Sequence, residues 1–121
     1  MFRFEKLDVW HKAIELTDQV YAATRAFPGD ERFGLTSQIR RAAVSIASNI
    51  AEGSSRASDV DFLRFLEIAY GSLMEVVTQA RIAHRQQILN DLGHEELVRH
   101  AEQLARMLSG LRASLQPKPI S

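Results

Sequence analysis

The stretch from Leu35 to Arg56, LTSQIRRAAVSIASNIAEGSSR, sets the tightest limit on what this chain can fold into. Read at about 100° per residue, Ile39, Ala42, Ala43, Ile46, Ala47, Ile50 and Ala51 spread well beyond one narrow stripe. A helix apolar around most of its circumference is buried on several sides, and small side chains let its neighbours come close. This segment is therefore expected at the centre of a helical assembly. Gln38, Arg41, Ser45, Ser48, Asn49 and Glu52 share the strip that is left.

The flanking sequence supplies the neighbours. From Leu7, Trp10, Ala13, Ile14, Val20 and Tyr21 recur at helical spacing, with Leu16 widening the face, and Pro28-Gly29 ends the pattern. Phe2 and Phe4 precede it as a short flap. Thr36 or Ser37 is expected to cap the second helix, and Gly53 to stop it. Ser58 has cap spacing to Asp61. Beyond it, Leu63, Leu66, Tyr70, Leu73, Val77 and Ala80 form a heptad seam, with Phe62, Phe65, Ala69, Val76 and Ala83 as a second row beside it. Leu97, Ala101, Leu104, Leu108, Leu111 and Leu115 repeat the three-four spacing. No β-period alternation occurs. The expected fold is all-α, an antiparallel four-helix bundle with helices at about 7–26, 36–53, 58–87 and 93–115. One domain spans 1–115, followed by a mobile tail at 116–121 around Pro117 and Pro119.

Charge and composition exclude several function classes. Lysine plus arginine and aspartate plus glutamate number 15 each, so the chain is not a globally basic nucleic-acid binder. Arg32 to Arg64 nevertheless holds five arginines against Glu52, Asp59 and Asp61. With no cysteine there is no disulfide framework and no thiolate chemistry, which fits a reducing compartment. The N-terminus has no signal-like apolar region, and no run approaches membrane-spanning length, so a cytoplasmic location without membrane contact is expected. His11, His84, His94 and His100 lack metal-ligand spacing, no serine sits in a nucleophile elbow, and no glycine-rich phosphate loop occurs. No catalytic, metal or cofactor site is expected.

The polar strip of the second helix carries two readings. Ser45, Ser48, Asn49 and Glu52 form an interface stripe that hydrogen-bonds neighbouring helices, or they belong to a recognition surface. In that second case Arg40, Arg41, Arg56 and Arg64 are its positive part, because arginine forks match phosphate oxygens. No aromatic residue is evidently interleaved with these arginines, so base stacking has little support. The doubled apolar faces of the second and third helices exceed what one stripe per helix buries, and point to a homo-oligomer.

LTSQIRRAAVSIASNIAEG, with Phe27, Pro28, Glu31 and Gly34 upstream and IAYGSLMEV downstream, resembles the four-helix-bundle family encoded in intervening sequences of large-subunit ribosomal RNA genes. Some of its members are labelled ribosomal protein, and a related branch is the accessory protein of diversity-generating retroelements. The resemblance spans about Phe4 to Leu115. Ala47 stands where proline is common in the family, leaving the helix free to run straight. The resemblance implies a homopentameric ring and, for the retroelement branch, binding to a reverse transcriptase and to nucleic acid through basic surface. Arg40 and Arg41 lie within the matching motif. The leading expectation is a non-enzymatic oligomeric interaction or scaffold protein. The alternative is a nucleic-acid-binding accessory factor for RNA or DNA, with another protein as a further possible partner.

Overall fold

The computed structural model describes residues 1–117 and contains four long helices: α1 (Asp8–Thr24), α2 (Leu35–Ser54), α3 (Asp59–Arg85) and α4 (Asp91–Leu115). Short 3-10 turns at Arg3–Lys6 and Gly29–Glu31 complete it. The tail expected from 116 onward therefore falls, past Pro117, outside the described residues. None of the described helices is long and apolar enough to cross a membrane.

Cap chemistry sets the helix ends, not always at the expected residues. Neither Thr36 nor Ser37 caps α2, because Gly34 occupies the N-cap position and has no side chain. Glu31 Oε1 instead accepts from the Leu35 backbone N–H at 3.3 Å, satisfying one of the otherwise free first-turn donors. Ser58 does cap α3, accepting from the Asp61 N–H at 3.2 Å. α3 ends two residues earlier than expected, because Gln87 takes φ of 62° and the N–H groups of Ile88 and Leu89 turn back to the Ala83 carbonyl. Asn90 then accepts from the Gly93 N–H at 2.8 Å and starts α4 at Asp91.

Gly53 is a correction with a packing cause. It does not stop α2, which runs through Ser54, and no described glycine has a positive φ. A Cβ at Gly53 would lie 2.6 Å from Phe65 Cβ and 3.0 Å from Phe62 Cδ1. The glycine is there so that α3 can press against the α2 backbone.

That close approach also rotates the seam of α3. Its fully buried line is Phe62, Leu66, Ala69, Leu73, Val76, Ala80 and Ala83, an unbroken four-three alternation. The row expected to be secondary thus supplies most of the core, while Leu63, Tyr70 and Val77 are half-buried at its edge. On α1, Val9, Ala13, Leu16 and Val20 face inward, and on α4 Leu97, Ala101, Leu104 and Leu108 do. α2 is central, as its composition demands: Ile39, Ala42, Ala43, Ile46, Ala47 and Ile50 are all buried within the protomer. The apolar surplus of α2 and α3 is therefore largely spent inside one chain, which corrects the basis on which oligomerisation was expected. A strap from the N-terminus closes one end of α2. There Arg3 donates to the Ser54 carbonyl at 2.9 Å and lies over the Phe62 ring, and Phe4 packs on Trp10.

Candidate functional site

The four candidate arginines do not form one patch. Arg40 and Arg41 stand near the start of α2 and Arg56 just beyond its end, about 22 Å apart along a helix rising 1.5 Å per residue. Arg56 pairs with Glu52 Oε1 at 2.9 Å and lies over the Phe65 ring, closing off its own turn. Arg64 is exposed on the second turn of α3.

Adjacent positions on a helix point apart, and the twin arginine divides accordingly. Arg40 Nε donates to Thr24 Oγ1 at 2.8 Å, and its guanidinium sits 4.5 Å over the Tyr21 ring. Thr24 is buried and donates in turn to the Val20 carbonyl, so Arg40 is a clamp between α1 and α2. Arg41 projects outward, and no ion pair engages it among the described residues.

The polar strip divides in the same way. Ser45 Oγ meets Ser72 Oγ of α3 at 2.9 Å, and Asn49 Nδ2 donates back to the Ser45 carbonyl at 2.8 Å. These residues satisfy one another across the α2–α3 contact, as buried polar groups must. Ser48 is exposed and faces α1, while Glu52 is committed to its ion pair with Arg56, an exposed contact of little energetic weight.

What the structure assembles instead is a groove along the α1–α2 face whose two ends differ in chemistry and meet at Val44. One end, of about 310 Å³, is lined by Phe4, Trp10, Ile14, Ala47 and Ala51 with Ser48 at its edge. It is almost wholly apolar because the small residues of α2 leave the larger side chains of α1 uncovered. The other end, of about 610 Å³, collects Tyr21, Arg32, Phe33, Arg40 and Arg41 with the hydroxyls of Thr36 and Ser37. Phe33 is 88% exposed, with the Arg32 guanidinium 5.2 Å from its ring centre.

Arg32, Phe33 and Tyr21 are site residues that sequence reasoning missed. It follows that aromatics are interleaved with the arginines after all, which corrects the expectation above. The one local signal was the adjacent Arg32 and Phe33 in the turn before Gly34, and a single apolar residue in a turn does not by itself mark a site. Tyr21 was assigned to the core face of α1, and only the crossing of α2 brings it beneath Arg40. Among the described residues no three metal-ligating side chains converge.

The sequence model of the family described as 23S rRNA-intervening sequence protein matches residues 5–110. The fold is similar to the crystal structure of a protein with unknown function from the S23 ribosomal protein family of Bacteroides thetaiotaomicron. The TM-score is 0.79 at 21% identity, over 86% of this chain and 97% of that one. No curated protein matches the chain.

Proposed function

The chain belongs to the 23S rRNA-intervening sequence protein family, and on that footing we propose that it is a non-enzymatic scaffold that assembles with copies of itself. The observation that carries this reading is the apolar end of the α1–α2 groove, an open apolar channel with Val44 43% exposed at its centre. The matching convex surface is the outer face of α3. Exposed Ile68 and Met74 flank Gly71 there, Ile82 follows two turns on, and the missing Cβ of Gly71 leaves its backbone open to close approach. Groove and ridge lie on different faces of one chain, so they pair head to tail, a contact that closes into a ring where the rotation between copies closes and grows into an open filament where it does not. The ring is the five-copy one that the family resemblance implies. Light scattering on the eluting protein at micromolar concentration is expected to return about five times the 13.6 kDa protomer mass. A 13.6 kDa species overturns the proposal.

The second reading is a nucleic-acid-binding accessory factor, and the other end of the groove favours it. Phe33 offers an exposed ring for a base, while Arg32 and Arg41 flank it with charge for phosphates, a combination suited to single strands. A ring multiplies such a weak site by avidity. At about 50 mM salt, where phosphate contacts are strongest, a single-stranded oligonucleotide is expected to shift in a gel. Arg32→Glu with Arg41→Glu is expected to abolish the shift. Arg40 is left intact because its loss would unclamp α1 from α2. An unshifted wild type, or a double variant that binds as well as wild type, removes this reading.

A further inference from the structure

Every side-chain hydrogen bond that ties α4 to another helix, among the described residues, runs through a histidine. On α1, Lys12 Nζ donates to His100 Nδ1 at 2.9 Å. On α3, His84 Nε2 stands 2.6 Å from Oδ1 of Asp91, the first residue of α4. A third histidine, His94 on α4, lies face to face with His84, their centroids 4.5 Å apart and their planes within 9°. Its Nε2 is buried without a partner. The apolar hold on α4 is thinner, with four buried hydrophobic residues in its 25 against six in the 20 of α2.

The contacts dictate which protonation state the closed bundle accepts. An ammonium donates and never accepts, so His100 presents a lone pair at Nδ1 and carries its proton on Nε2, 3.8 Å from Glu96 Oε2. A second proton at Nδ1 would remove that bond and set an imidazolium against Lys12, whose near counter-charge is Glu15 at 3.7 Å. Burial, then Lys12 and Arg99, lower the His100 pKa below its ordinary 6.5 against the opposing pull of Glu96 and Glu15. For His94 the causes are burial, then His84 and Arg81, opposed by Asp91 and Glu95. An added proton on its Nε2 would have no acceptor. Both groups thus bind protons more weakly in the folded state than in the unfolded one. The stability they contribute is full above pH 6.5 and is lost as pH falls below it toward the folded values.

We propose that His94 and His100 make α4 an acid-released arm, closed on α1 and α3 at neutral pH and loosened in mild acid while the tightly packed α2–α3 pair stays folded. The device is a local opening that uncovers the seam Leu97, Ala101, Leu104 and Leu108 otherwise seal.

Hydrogen exchange of the full chain, read by helix at about pH 7.5 and 5.5 and corrected for intrinsic rate, tests it. Protection of α4 is expected to fall about tenfold relative to α2 on acidification, and His94→Gln with His100→Gln to reduce that difference to under about twofold. Lys12→Met, which keeps the apolar stem and removes the ammonium, is expected to shrink the response, because the closed bundle then tolerates a proton on His100 Nδ1, and it decides the matter should the histidine variant not fold. Equal loss in α2 and α4, unchanged α4, persistence of the response in the histidine variant, or an undiminished response in Lys12→Met would each overturn the proposal.

Discussion

Gly53→Val is expected to lower the unfolding free energy by about 3 kcal/mol, and the melting temperature by about 10 °C. The cause is geometric. The first added carbon would meet Phe65 Cβ at 2.6 Å and Phe62 Cδ1 at 3.0 Å. A Cβ next to its own backbone cannot swing aside as a side-chain tip can, so α2 and α3 must separate along the seam that Phe62 and Leu66 fill. Valine is chosen because it lacks the helix propensity with which alanine would offset part of the strain. Gly71→Ala provides the contrast in the same helix pair. Its Cβ meets nothing within 4 Å, so the protomer is expected to gain up to about 1 kcal/mol from the better helix former. Thermal denaturation followed by circular dichroism reads both. If Gly53→Val melts within about 2 °C of the parent, the helices can spread at no cost and close approach is not why glycine stands there.

Val44→Glu is expected to dissolve the proposed assembly into protomers while leaving helix content unchanged. Val44 is 43% exposed at the junction of the two ends of the groove, so the isolated fold gains a solvated carboxylate and loses little core. In the assembly the same carboxylate would be taken out of water beside Trp10 and Ile14, a cost of about 3 kcal/mol per contact after pairing with the outward-facing Arg41 on the preceding turn offsets part of it. That weakens each contact by at least about a hundredfold. Light scattering is expected to return 13.6 kDa for Val44→Glu and also for Ile68→Glu, which spoils the ridge instead of the groove. Mixing the two variants restores one intact ridge and one intact groove, so a two-copy species is expected and larger ones are not. Full-size rings from either variant alone would place the interface elsewhere.

Much of the fold was legible because its signals act over a turn or two of chain. The Ser58 cap, the break at Pro28-Gly29 and the leucine row of α4 depend on residues within about four positions of each other. The site was far less legible. Arg40 and Arg41 are neighbours in sequence, yet one clamps Thr24 and the other faces solvent, a division set by where α1 lies against α2. Ser45 was expected either to hydrogen-bond a neighbouring helix or to face a partner, and only the fold brings Ser72, 27 residues on, within its reach.

Local periodicity and composition by themselves determined that this chain makes four helices around an unusually small-residued, many-sided α2. Only the tertiary structure decided that Gly53 is a contact point rather than a stop, and that the core line of α3 takes Phe62, Ala69, Val76 and Ala83 from one row and Leu66, Leu73 and Ala80 from the other. It alone gathered Phe33, Tyr21 and Arg41 around one concavity. The physical reason is that a helix's period states which residues share a face but not its rotation about its own axis. That rotation is chosen by the steric fit of distant segments, here by how closely α3 can approach the bare backbone of Gly53.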